Sequence, residues 1–327
     1  LPAGGRRFLS DGGTPAGGAL PPGRAPVDVV GLGQACVDVL GKVPGHPEED
    51  TKTELLELEM QCGGPASTAM VTLARLGARA AFLGSVGEDA FGRRIRAELE
   101  SEGVDVAGLQ STAGRTSQFA FIAVSRDTGR RTIYWHRGTA PPLAPGDVDL
   151  SRHAGARILH LDGLMIEASI EAAVQAHERR MIVVLDAGTL RPGSLELIPH
   201  VDVLIASERF ADPLTGGAGG PEAAVRALQE HCPGRVVVTL GEKGSLAHDG
   251  RGVVRQPAFP VEVEDTTGAG DVYHGAYVYG LLQGWDTTRC MRFASAAAAM
   301  NCTRPGARGG IPDRAALDAF LRRRSSA

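Results

Sequence analysis

In Val263-Glu264-Asp265-Thr266-Thr267-Gly268-Ala269-Gly270-Asp271-Val272-Tyr273-His274-Gly275-Ala276, a strand-like run ending near Val263 passes through a glycine turn into a helical pattern that continues to about Leu282. The first amides of a helix have no partner within it, glycines let an anion approach them, and the helix dipole adds a favourable field. A carboxylate in that first turn, here Asp271, then stands beside any phosphate held there. Phosphoryl transfer needs this pairing: donors for the phosphoryl oxygens and a base for the attacking hydroxyl. The alternative is an ordinary helix start whose Asp complements the dipole.

Outward from this point the chain alternates. Strand-like apolar runs occur at Val27–Val30, Ala81–Leu83, Ile158–Leu161, Ile182–Leu185, Val203–Ile205 and Val236–Leu240. Helical patterns separate them at Ser67–Leu76, Phe91–Glu102, Ile170–Arg179, Ala223–His231 and Asp286–Cys302. Such alternation predicts an α/β fold with a mainly parallel sheet covered on both faces. Thr51–Glu59 and Ser117–His136 instead alternate polar with apolar residues around a turn at Asp127–Gly129, which predicts a small antiparallel sheet placed as a lid.

The 327 residues, 43% hydrophobic, suffice for one large domain. A net charge of −4 gives no electrostatic reason to expect nucleic acid or an anionic membrane as partner. Five widely spaced cysteines without a C-x-x-C pair are expected to be reduced core residues of a cytoplasmic protein. Residues 1–26, rich in Gly, Pro and Arg, are expected to form a disordered tail, with the folded domain spanning 27–327 and lid strands at about 37–60 and 117–136.

Asp265–Asp271, D-T-T-G-A-G-D, resembles the C-terminal signature of the ribokinase-like (PfkB) carbohydrate kinases, and Gly63-Gly64-Pro65-Ala66-Ser67-Thr68-Ala69, continuing to Gly77, resembles a second signature of that family. The resemblance runs from about Val27 to Pro312. It implies a three-layer α/β/α core with a β-lid, ATP as donor, Mg²⁺, and transfer to a sugar hydroxyl, with Gly268, Ala269 and Gly270 as anion hole and Asp271 as base. Some stretches look most like sulfofructose kinases and others like ketohexokinases. The sulfonate-binding residues of the former are not evident, which leaves a ketose or related furanose as the expected acceptor.

On the substrate side, Gly31-x-Gly33 lacks the third glycine of a dinucleotide fingerprint, because Cys36 stands there. The resemblance makes Asp38 a ligand of sugar hydroxyls, which suits a carboxylate's bidentate acceptor geometry. Gly63 and Gly64 would bring the backbone close to the sugar, or simply form a tight turn. Thr68 replaces the family's usual Asn and offers a single hydroxyl in place of an amide. Lys52 and Arg131 are candidates to close over the substrate, and Trp135 is lid packing or a platform. Asp162 ends a predicted strand, where ligands of parallel sheets bind.

On the nucleotide side, Thr239-Leu240-Gly241-Glu242-Lys243-Gly244 is no Walker A loop but resembles the family's nucleotide-binding segment, so that Thr239, Gly241, Lys243 and Gly244 join Thr266 and Asn301 as expected contacts; a turn between strands is the alternative. Ser207-Glu208-Arg209-Phe210 falls where relatives often carry N-x-x-E, linked to Mg²⁺, and leaves the metal ligands unassigned. Asn301–Pro312 resembles a segment that in some relatives binds a monovalent cation such as K⁺ through carbonyls. A homodimer joined through the lid is expected. The competing functions are a catalytically silent sugar or nucleotide sensor on the same fold and a nucleoside kinase.

Overall fold

The computed structural model describes residues 26–128, 130–153, 155–216, 219–248 and 252–325. Residues 1–25, which make up nearly all of the expected disordered tail, and Gly129 of the predicted lid turn lie outside that set.

Val29 and Val30 illustrate the local logic. Both are fully buried, yet as neighbours on a strand they point to opposite faces, and each joins a different hydrophobic cluster. Along the chain, β1 (Val29–Leu32) is followed by β2 (Cys36–Val43), β3 (Glu57–Gly63), α1 (Pro65–Arg75), β4 (Ala80–Gly87), α2 (Ala90–Ser101), β5 (Asp105–Thr112), β6 (Phe119–Ser125) and β7 (Arg131–His136). Then come β8 (Ile158–Leu161), α3 (Ile166–Glu178), β9 (Ile182–Ala187), α4 (Ser194–Leu197), β10 (Val203–Ser207), α5 (Glu208–Thr215), α6 (Gly220–His231), β11 (Arg235–Thr239), β12 (Ser245–His248), β13 (Val253–Gln256), α7 (Ala269–Leu282), α8 (Thr287–Asn301) and α9 (Arg314–Ser325).

Among the described residues, nine strands form one sheet in the order β13-β12-β11-β10-β9-β8-β1-β4-β5, parallel except for β12 and β13. One cluster packs one face of the sheet against α1, α2, α7, α8 and α9; the other packs the opposite face against α3, α5 and α6. This is the three-layer architecture the alternation predicts. α1 and α7 are apolar nearly all round because they pack on each other as well as on the sheet.

The lid is a separate sheet, β3-β2-β6-β7, antiparallel except for the β2–β6 pair. Asp38, Leu40 and Lys42 share one face of it with Ile122, Val124, Arg131, Ile133 and Trp135. Two boundaries differ from expectation. Residues 51–56 are not strand, the pairing beginning only at Glu57. No strand leads into the glycine turn before α7 either: β13 ends at Gln256, and Pro257 and Pro260, which cannot donate to a ladder, carry the chain in irregular form to α7.

The loop after α8 is anchored by charge. Arg75 of α1 forms a two-pronged pair with Glu102 (2.9 and 2.6 Å) and also donates to the carbonyls of Arg308 and Ile311. This pairing holds the Glu102 carboxyl below its ordinary range. The five cysteines are free and buried, as expected of core thiols.

Candidate active site

Gly268 caps α7 in the left-handed conformation (φ 71°), and a β-carbon there would collide with the backbone of Ala307. The first turn-closing amide of the helix is that of Val272, bonded to Gly268 O at 2.9 Å. Ala269 N–H turns back to Thr266 O (3.3 Å), and the amides of Gly270 and Asp271 take no backbone acceptor among the described residues. The start of α7 thus leaves the amides of Gly270 and Asp271 without a backbone acceptor among the described residues, as helix starts do.

Asp271 lines a cleft of about 280 Å³ with Asp162, which follows β8, and Asp186, near the end of β9. Withdrawal from water and the neighbouring Asp162 charge raise the Asp271 carboxyl above its ordinary value of 3.8, while Arg308 pulls it back. Burial and the charge of Asp271 push Asp186 up as well. Asp162 is raised to about 6 by burial, against hydrogen bonds from the amides of Gln34 (2.6 Å) and Leu164 (3.1 Å). These bonds make Asp162 the tie between the β1–β2 loop and the segment after β8. Beneath the cleft, burial pushes His274 well below the usual histidine range, so its ring is neutral at 3.4 Å from Asp186.

Asp38 is buried, accepts a long bond from Cys36 Sγ (3.5 Å), and has its carboxyl raised by burial. Gly63 is what makes room for it, since a β-carbon there would lie inside contact distance of Asp38 Oδ2. Gly63→Ala is accordingly expected to raise the sugar KM by roughly 10²-fold through displacement of Asp38, with the ATP KM unchanged, in steady-state kinetics. Gly64 precedes Pro65 as the cap of α1.

Thr68 is not brought to the cleft. It is fully buried and accepts from Arg308 Nε (3.2 Å). Arg308, itself 4% exposed, also donates to Glu98 (3.0 Å), Ser67 Oγ (2.8 Å) and the Gly63 carbonyl (3.4 Å). The hydroxyl at position 68 thus seats a buried guanidinium behind the glycine turn. Lys52 lies exposed in the connection before β3 and lines none of the described cavities. Arg131 reaches from the lid to Asp265 Oδ1 (3.5 Å), Thr266 Oγ1 (3.4 Å) and Thr267 Oγ1 (3.3 Å), across a cavity of about 410 Å³. Its contact is therefore with the loop that leads into α7.

Thr239 ends β11, and Gly241, Lys243 and Gly244 form the turn into antiparallel β12. That turn lies at the same edge of the sheet as Asp162 and Asp186. Asn301 is fully buried, its amide donating to the carbonyls of Thr267 (3.2 Å) and Ala307 (3.3 Å) and accepting from Gly310 N (3.2 Å). It ties the loop before α7 to the segment after α8. Ser207 caps α5, and Phe210 is a buried wall of the cleft.

With this geometry in view, the relatives are consistent. Residues 27–314 match the model of the pfkB family carbohydrate kinases, and the chain belongs to that family. It is 30% identical over 301 residues to the ribokinase of Haemophilus influenzae, covering 89% of this chain and 97% of that protein. It is 29% identical over 302 residues to the ATP-dependent ribose-1-phosphate kinase of Halopiger xanaduensis, covering 91% and 99%. The structure of Arabidopsis thaliana ribokinase complexed with ribose and ATP superposes with a TM-score of 0.81 at 27% identity, covering 91% of this chain and 99% of that one.

Proposed function

We propose that this chain transfers the γ-phosphoryl group of ATP to a hydroxyl of a small sugar, a ketose or related furanose, with Asp271 as base. The observation that carries this is the Asp271 carboxyl in the first turn of α7, beside open amides and with a raised pKa. Asp38 accepts from sugar hydroxyls, and Asp271 takes the proton of the attacking one. The new O–P bond forms as the bond to the β-phosphate oxygen breaks, and the Gly268–Gly270 turn receives the phosphoryl charge.

Among the described residues no three His, Cys, Asp or Glu side chains cluster tightly enough to cage a metal by themselves. That suits Mg²⁺, which takes one or two carboxylates and completes its shell with phosphate oxygens and water. We assign that carboxylate to Asp186, which lines the cleft beside Asp271. Bound there, Mg²⁺ would neutralise charge on the transferring phosphates. The Asn301–Pro312 loop is the proposed monovalent-cation segment.

The test is a coupled ADP-release screen over ketoses, aldoses, sugar acids, phosphosugars and nucleosides, with Mg²⁺ and with or without K⁺. ADP release with a sugar supports the reading; tight sugar binding with none supports the silent sensor. The nucleoside arm is included because Trp135, 57% exposed in the lid, offers a stacking face. The base must be ionised, so kcat is expected to fall as pH drops, along an acid limb lying above the 3.8 of an ordinary aspartate. A kcat–pH profile flat down to that value would remove the base assignment.

A second copy of the chain is the proposed partner. The lid face away from Asp38 carries Leu58 (62% exposed), Met60 (37%) and Tyr134 (63%), an apolar strip suited to its own kind.

A further inference from the structure

Of the three carboxyls around the cleft, two have firm support from the backbone. Asp162 takes the amides of Gln34 and Leu164, and Asp271 stands in the first turn of α7. Asp186 has neither kind of support. Among the described residues no amide, hydroxyl or guanidinium donates to its carboxyl, and the charged neighbours acting on it are Asp271 and Asp162. The group that does reach it is His274, whose Nε2 lies 3.4 Å from Oδ1.

His274 follows Asp271 by three residues on α7, so a single helical turn carries both the proposed base and this ring. The ring is buried, and its Nδ1 has no hydrogen-bond partner among the described residues. From β8 the ring of His160 meets it edge-on, with 6.2 Å between centres. His160 is wholly buried, and neither of its nitrogens has a partner among the described residues. Unpartnered nitrogens in an interior cost stability that a phenylalanine would not. Local rules are broken in this way chiefly where a site needs the group. A ring with an acceptor at one nitrogen and none at the other keeps its proton on the acceptor's side. Nε2–H therefore points at Asp186 once that carboxyl is ionised, and the contact tightens as the acceptor takes up its charge.

We propose that His274 is a positioning residue: its Nε2–H holds the Asp186 carboxylate at the cleft, with the His160 ring as backstop, and so sets how well the chain takes Mg²⁺. This rests on the kinase reading, and within it on Asp186 as the Mg²⁺ carboxylate. His274 lines no part of the cleft and touches neither substrate. It acts through Asp186 alone, as the outer partner of a metal-binding side chain does.

The experiment is calorimetric titration of the full chain with a non-hydrolysable ATP analogue, with and without Mg²⁺, the gain in affinity on adding Mg²⁺ being the quantity read. His274→Gln, His274→Asn and His274→Phe are compared with the parent chain. A glutamine amide reaches about as far as Nε2, an asparagine amide only as far as Nδ1, and phenylalanine has no donor. The Asn and Phe variants are expected to lose roughly 10- to 100-fold of the Mg²⁺-dependent gain, with affinity in the absence of Mg²⁺ unchanged and with Gln restoring most of it. Tm should hold or rise in His274→Phe, which buries no unpartnered nitrogen, whereas a purely structural histidine would lower Tm and leave the Mg²⁺ gain alone. A parental gain in the Asn and Phe variants, or a Gln variant no better than Asn, overturns the proposal. Asp186→Asn separates this from the reading beneath it. If it abolishes the gain while the His274 variants keep it, Asp186 stands as the metal carboxylate and His274 falls; if it changes nothing, the metal assignment falls and His274 with it. Sugar-dependent ADP release by the parent chain judges the kinase reading by itself.

Discussion

Asp271→Asn is expected to lower kcat by roughly 10²- to 10⁴-fold, the usual worth of a positioned general base. The amide keeps the size and the hydrogen-bonding shape of the carboxyl but cannot accept the hydroxyl proton. The open amides of the α7 start belong to the backbone and survive the change, so ATP affinity, read by titration, should stay near wild type. One further consequence distinguishes loss of a base from misfolding. Burial and the charge of Asp162 raise the Asp271 carboxyl, and the charge of Asp271 in turn raises that of Asp186, so the variant should lose the acid limb of the pH profile while its Tm holds or rises. Near-normal turnover in Asp271→Asn would end the assignment.

Arg308→Met should destabilise the fold by about 2–4 kcal/mol and raise the sugar KM. Methionine keeps the apolar stem but leaves the Thr68 hydroxyl and the Gly63 carbonyl without the guanidinium that joins them to Glu98. Glu98 is 26% exposed and can turn to water, which keeps the loss below that of a fully buried pair. The positive charge of Arg308 also favours the ionised forms of Asp271 and Asp38. Its removal should therefore move the acid limb of kcat to higher pH, a shift that a packing defect alone would not produce. A stable Arg308→Met with unaltered KM and pH profile would show that the guanidinium is only filler.

What was legible in the sequence followed from periodicity and from backbone chemistry. The interior parallel strands read clearly because they are buried on both faces and so form continuous apolar runs. The glycine turn and helix start of α7 read clearly because glycines and an Asp at that spacing have few other uses. Edge strand β5 did not, since half of Asp105–Thr112 is polar and faces water. Asp186 could have been found by the argument used for Asp162, as both stand at the carboxyl ends of neighbouring parallel strands. Arg308 could not. Its partners lie far away in the chain, and nothing in a Gly-rich loop marks one arginine as buried. Thr68 is expected at the sugar from the family resemblance, which places a residue on a helix but does not say that Arg308 has claimed its hydroxyl.

The lid is assembled from two distant parts of the chain. β2 lies parallel to β6, with Val37 opposite Phe119, and the whole of α1, β4, α2 and β5 intervenes. A parallel pair cannot be closed by a tight turn, so β2 has no lid partner but β3 until the core elements between are made and folded. Completion of the lid sheet is thus tied to one flank of the core: the edge of β2 that β6 covers stays open until the intervening elements have been synthesised.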